Sequence, residues 1–357
     1  MSSNRSPSTI KRLNYIGSKY QLLEWLQENI QEQIQTPLKG LRVADLFAGT
    51  GVVSLHFANL GATVTSNDAE SYSSIISKAL LKSSFNKTCQ EIVKEINDNN
   101  EGLVGFITQN YSPYEDCRRQ FFTVENAKRI DYVREFLFNN KRITEDEYSF
   151  LMASLIVSAD SIANVPAVYG SFLKAFKQKA KNSFVLRPLY DDEKTEEPKN
   201  HVVYSLPVVD VAQQMEPVDV VYLDPPYNER NYSANYFPLN MIAKTPEETN
   251  SFPPLKGVTG IPHDCYRSDF CKKTKVKDAF RDLFSALQNK TKWIFLSYNS
   301  ESLLSKAAML EIIEKTCPGS KTEVIERDYK RFKNFDYGKD SNETGEVVEY
   351  LFCVRVV

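Results

Sequence analysis

Residues 41–54 read Leu-Arg-Val-Ala-Asp-Leu-Phe-Ala-Gly-Thr-Gly-Val-Val-Ser: an apolar strand, a glycine-containing loop and the first turn of a helix. No other stretch constrains the fold as much, because a strand that runs through glycines straight into a helix belongs to a sheet of alternating βα units. Glycines at such a turn let the backbone approach a ligand closely, and the helix N-terminus offers free amides. Dinucleotide-binding folds carry G-x-G-x-x-G there to hold a pyrophosphate. This chain has only Gly49-Thr50-Gly51, with Asp45 just upstream. A carboxylate in that place repels phosphates but suits the ammonium of a methionine moiety. Residues 61–68, ending in Asn67-Asp68, read as a second strand. By the logic of the dinucleotide fold, its terminal carboxylate takes ribose hydroxyls. The expected ligand is S-adenosylmethionine, with Asp68 on its ribose and Asp45, Phe47, Gly49 and Gly51 among the residues around it.

A further apolar run, residues 218–223, stops at Asp224-Pro225-Pro226-Tyr227. Two prolines end a strand, and they donate no backbone hydrogen bond, so the carbonyls around them stay free to accept. A carboxylate and a carbonyl beside an aromatic face match a planar base with an exocyclic amine: the oxygens accept the amine protons and the ring stacks. Taken alone, four such residues also fit a tight turn after a strand. The glycine loop upstream is what argues for chemistry.

With both elements in this order, the chain resembles the adenine-specific DNA methyltransferases of the alpha group, in which the cofactor motif precedes the target-recognition region and the catalytic DPPY follows it. Residues 13–23 are similar to the family's first cofactor segment, which implies that Tyr15 and Lys19 flank the methionine end of the cofactor. Residues 295–300 resemble the strand after the catalytic motif, and residues 121–131 a segment shared by one branch of these enzymes. The resemblance covers residues 11–355. It implies methyl transfer to N6 of an adenine flipped out of duplex DNA, with Asp224 and the Pro225 carbonyl accepting from the amine and Tyr227 stacking on the base. The family places an acidic residue after the third strand, on the cofactor's adenine. In residues 201–210 that residue is expected to be Asp210, unless Asp210 falls a turn into the following helix and Pro207 holds the position.

Rival chemistries leave different marks. RNA-adenine and protein-amide enzymes more often carry Asn at the first position of the tetrapeptide, and cytosine-N4 enzymes more often Ser. A cytosine-C5 enzyme needs a cysteine nucleophile, usually after proline, and no Pro-Cys pair occurs. A non-catalytic DNA-binding protein on the same fold has no need of Asp45, Gly49, Gly51, Asp68, Asp224 and Tyr227 together.

A chain of 357 residues, 42% hydrophobic, is long for one domain. The expected architecture is α/β: a doubly wound, Rossmann-like methyltransferase sheet with an inserted, mainly helical recognition region. Its expected parts are a disordered tail over residues 1–10, a catalytic domain over 11–87 and 201–357, and a target-recognition insert over 88–200, where strand–helix alternation breaks down. Helices are expected over 19–34, from the stripe Leu22, Leu23, Leu26, Ile30 and Ile34, and over 70–81 and 145–164. Residues 164–174 suit either a loop at a DNA backbone or a packed turn, and Tyr232 and Tyr236 read as packing where a helix begins.

The net charge of −2 argues against a generally basic surface, so phosphate contacts must be local. The first candidates are Lys174, Lys177, Lys179 and Lys181 in the insert; the runs 272–277 and 330–333 come next, with Arg230 after the catalytic motif. Acidic residues cluster at 191–193 and 196–197. Six scattered cysteines and three histidines show no metal-ligand spacing, and the cysteines read as reduced thiols of a cytosolic protein. No apolar stretch approaches a membrane span and no signal peptide precedes Lys11. The expected location is the cytoplasm. The expected partner is double-stranded DNA; the sequence leaves open whether the enzyme acts beside a separate cognate restriction endonuclease, works alone or comes from a virus.

Overall fold

The computed structural model describes residues 10–191, 200–255, 257–330 and 346–357. Residues 1–9 of the expected tail, the acidic positions 192–197 and the basic positions 331–333 lie outside the described residues.

One sheet holds β1 (Arg42–Asp45), β2 (Thr63–Asn67), β3 (Val202–Tyr204), β4 (Val220–Leu223), β5 (Trp293–Asn299), β6 (Lys321–Lys330) and β7 (Glu346–Arg355), in the order β3-β2-β1-β4-β5-β7-β6. The first five are mutually parallel, and β7 pairs antiparallel with both β5 and β6. Every residue of β4 is buried, which is why Val220-Val221-Tyr222-Leu223 is continuously apolar: helices cover both faces. On one face Val43, Val64, Val220 and Phe295 meet Leu26 and Ile30 of the helix Leu23–Ile34. On the other, Ala44, Val221, Leu223 and Ile294 meet Leu283 and Phe284 of the helix Val276–Leu287. Chain order reverses between β1 and β4, so a crevice opens beyond their C-terminal ends, where ligands bind in doubly wound folds.

Several boundaries depart from expectation for local reasons. Residues 19–34 are not one helix; a 3-10 turn, Lys19–Leu22, leads into Leu23–Ile34. The helix expected over 145–164 is Glu145–Ser161. It starts as expected because Thr144 and Glu147 each bond the other's backbone N–H in a capping box. The strand expected to reach residue 210 stops at Tyr204, and Pro207, with its fixed φ, precedes the helix Val208–Gln214.

Between residues 87 and 191 the regular elements are all helices: Lys87–Asp98, Phe106–Tyr111, Val124–Asn139, Glu145–Ser161 and Gln178–Lys181. These elements do not form a separate lobe. Phe121, Ile130 and Phe150 share one apolar core with Tyr72 of the helix Ser71–Leu81 and with Tyr236 and Phe237 of the helix Tyr232–Ala243. A buried ion pair closes the joint. Asp131 accepts from the backbone N–H groups of Gly105, Ile107 and Thr108 and pairs with Arg134 at 3.2 Å, while Arg134 donates to the Ile242 and Lys244 carbonyls. With every charge supplied with partners, such a pair is tolerable in a core.

Candidate active site

The crevice is a cavity walled by the segments that follow β1, β2 and β4. Of the residues expected there, Tyr15, Lys19, Phe47, Gly49, Asp68, Asp224, Pro225, Pro226 and Tyr227 line it. Asp68 knots the floor: its carboxylate accepts the Gly49 N–H at 2.8 Å and the Glu70 N–H at 2.9 Å. Gly49 adopts φ +54°, and a Cβ there would stand 3.1 Å from the Tyr15 ring, so glycine is required by backbone and neighbour together. Tyr15 in turn stacks on Tyr236 with ring centroids 5.1 Å apart. Tyr236 is buried packing as expected, whereas Tyr232 also lines the cavity. Burial pushes the Asp68 carboxyl up to about 6.

Three expected residues sit elsewhere. Asp210 lies exposed in the first turn of Val208–Gln214, and Leu206 and Val208 take the wall position, because β3 ends too early to carry an acid to the cavity. Gly51 is not on the wall either. At φ +72° it starts the helix Val52–Asn59, and a Cβ would meet Ser77 Oγ at 3.0 Å, so its smallness serves the contact with Ser71–Leu81. Asp45 lies behind the wall, 1% exposed, with Oδ2 accepting from Ser54 Oγ at 2.7 Å. Asp45 Oδ1 is buried with no partner among the described residues.

An orphaned carboxylate oxygen is costly, and a cationic group nearby offsets that cost, so the donor set fits a ligand carrying positive charge. Burial, with help from Asp224 and Asp68 and against the Ser54 hydrogen bond, pushes the Asp45 carboxyl up to about 7. A raised acid is stabilising while neutral, and that contribution is lost as pH rises from the ordinary carboxylate range towards 7. In the ligand-free protein Asp45→Asn is therefore expected to gain stability over the parent at about pH 8 and nothing at about pH 4. Urea unfolding at the two pH values reads this directly; a gain of equal size at both would refute it.

At the other end of the cavity five side chains meet. Lys19 Nζ lies 2.9 Å from Asp224 Oδ1, 3.4 Å from Glu349 Oε1 and 2.6 Å from the Tyr227 hydroxyl. The Tyr227 hydroxyl is 2.8 Å from Asp224 Oδ1 and 2.7 Å from Glu349 Oε1, and Ser297 Oγ donates to Glu349 at 2.9 Å. Burial raises the Asp224 carboxyl, Lys19 opposes, and Glu349 reinforces the rise. Burial alone would lower the Lys19 ammonium, but Asp224 and Glu349 outweigh it and hold the group charged. Lys19, expected beside the methionine end, thus sends its ammonium to the Asp224 carboxylate. Glu349 and Ser297 were not anticipated. The available signal was the lone charge in the apolar run 347–354. Glu70 was missed as well: it is 6% exposed on the cavity wall, hydrogen-bonded to Ser233 and Asn240 and pushed by burial up to about 7.

The residues expected on DNA lie outside the cavity. Lys174, Lys177, Lys181 and Arg230 are exposed and Lys179 is half-buried; Lys177 Nζ donates to the Val165 carbonyl at 3.0 Å. Among the described residues no three His, Cys, Asp or Glu side chains group as metal ligands, and no helix is long and apolar enough to cross a membrane.

The sequence matches the family model of D12 class N6 adenine-specific DNA methyltransferases over residues 15–312. It is 38% identical over 352 residues to the type II methyltransferase M.CviAII of Paramecium bursaria Chlorella virus 1, covering 97% of this chain and 99% of that protein. It is 36% identical to the type II methyltransferase M.NlaIII of Neisseria lactamica, covering 96% and 99%. With M.FokI of Planomicrobium okeanokoites the identity is 32%, over 96% of this chain and 52% of that one. The chain belongs to the D12 class of N6 adenine-specific DNA methyltransferases, enzymes that take their methyl group from S-adenosylmethionine.

Proposed function

We propose that this protein methylates adenine N6 at one specific sequence in double-stranded DNA, with Asp224 as the acceptor for the amine protons. The observation that carries the reading is a single cavity joining the Asp68–Gly49 floor to an Asp224 held by Lys19. S-adenosylmethionine supplies a methyl group on a sulfonium, already activated for displacement. The chain's work is to align the acceptor nitrogen and exclude water. Adenine N6 is a poor nucleophile because its lone pair is delocalised into the ring. Asp224 and the Pro225 carbonyl accept the amine protons and draw the nitrogen towards tetrahedral geometry, while Pro226 holds the turn and Tyr227 presents its ring to the flipped base. Asp68 takes the ribose hydroxyls, and Asp45, behind the wall, favours the ammonium through its charge rather than by contact. Tyr15, Phe47 and Gly49 shape the rest of the cofactor half.

Residues 88–200 read the target in this proposal, with Lys174, Lys177, Lys179, Lys181 and Arg230 on phosphates. The type II designation of the relatives supports a cognate restriction endonuclease that acts separately on the same sites, in the cytoplasm. Methylation mapping of DNA from cells expressing the protein tests the whole: N6-methyladenine at one recurring motif is expected, and N4-methylcytosine or unmodified DNA would overturn it. Asp68→Ala is expected to weaken cofactor binding by roughly 1–3 kcal/mol, as when a hydrogen-bonded charge is removed, with DNA affinity in the absence of cofactor unchanged. An unaltered calorimetric cofactor titration would sink the ribose assignment.

A further inference from the structure

Glu349 stands on β7 beside β5, 4% exposed, in a strand that is otherwise apolar from Val347 to Val354. A lone carboxylate buried in a sheet is expensive unless its partners require it. Its partners are Lys19, Tyr227 and Ser297, the first two of which also bind Asp224. We propose that Glu349 is a positioning residue that shares Lys19 and the Tyr227 proton with Asp224 and so keeps Asp224 a strong acceptor for the substrate amine. The inference rests on the adenine-methylating role of Asp224.

The charge count makes the argument. One ammonium against two carboxylates leaves the cluster with one net negative charge. The Tyr227 hydroxyl has a single proton and sits 2.8 Å from one carboxylate and 2.7 Å from the other, so it serves only one at a time. Both of these protein contacts to Asp224 fall on Oδ1, and among the described residues neither reaches Oδ2. An ammonium at 2.9 Å weakens a carboxylate as an acceptor for anything else; with Glu349 drawing on the same ammonium and the same phenol, Asp224 retains charge for the amine. Without the Glu349 charge the cluster becomes neutral, and lysine and phenol both settle on Asp224.

Glu349→Gln separates this role from packing, since glutamine keeps the shape and an acceptor oxygen and removes only the charge. Expected is a fall in kcat of about tenfold or more, with the cofactor KM unchanged within about twofold. Lys19→Met alone leaves two buried carboxylates uncompensated. Lys19→Met combined with Glu349→Gln restores the single net negative charge, so the double variant should be no worse than the poorer single variant, a strongly non-additive pair. A Glu349→Gln kcat within about twofold of the parent overturns the proposal, as does a double variant whose loss is the product of the two single losses. Should Glu349→Gln fail to fold, judged by cofactor titration and circular dichroism, the double variant decides: recovered cofactor binding and methyl transfer are required, and their absence refutes the charge-sharing role. Methylation of adenine by the parent is measured alongside, so failure of the adenine reading is seen separately.

Discussion

An Asp224→Ala variant is expected to bind S-adenosylmethionine almost as the parent does and to turn over about a thousandfold more slowly or worse. The acceptor acts where the amine nitrogen is forced out of conjugation, so its loss falls on the transition state rather than on ground-state binding. The cofactor floor is built from other residues, Gly49, Asp68 and Tyr15. Removing Asp224 also leaves Lys19 paired with Glu349 alone, so the cluster becomes neutral and the ammonium keeps a buried partner. The fold should survive. Calorimetric cofactor titration and single-turnover methyl transfer measure the two quantities independently, and equal losses in both would remove the assigned role.

Replacing Lys174, Lys177, Lys179 and Lys181 with Ala is expected to weaken binding to every duplex, whatever its sequence, and to flatten the salt dependence by about 0.9 in log–log slope for each phosphate no longer neutralised. None of the four forms an ion pair among the described residues. The rival run at 272–277 is largely engaged: Lys272 and Lys275 pair with Asp269 at 2.6 and 3.5 Å, and Lys273 with Glu229 at 3.2 Å. Charges already compensated release fewer counterions, which favours the first run. Cofactor affinity should be unaffected. Parent and variant slopes that coincide would make the run a solvated face.

The parts of the fold legible in the sequence are those fixed by local patterns. β4 is a short apolar run buried on both faces and closed by acid and proline, and β1 and β2 end at the acids Asp45 and Asp68 or one residue before, so all three ends fall within a residue or two of expectation. Asp210 misled because strand length was inferred from apolar content; Val208 and Val209 are apolar for the helix, not for the strand. Gly51 sits in the loop where the sequence points to a ligand contact, yet the demand on it comes from the helix Ser71–Leu81. Glu349 shows in the sequence only as a lone charge in an apolar run, and its partners do not show at all. Glu349 reaches Lys19 and Ser297 only once β7 has paired against β5, and no local spacing records a contact between positions 19 and 349.

The core shared between residues 88–200 and the helix Tyr232–Ala243 bears on how such enzymes change specificity. That helix begins five residues beyond Tyr227 and carries Tyr236, Phe237 and the Ile242 carbonyl that Arg134 holds. Whatever the inserted helices read, they cannot be exchanged between relatives as a free-standing cassette. A transplant of 88–200 alone would set a foreign aromatic surface against resident tyrosines beside the Asp224–Tyr227 turn. If residues 88–200 read the target as proposed, new specificity would arrive either by surface substitutions that leave this joint untouched, or by carrying the helix Tyr232–Ala243 along with them.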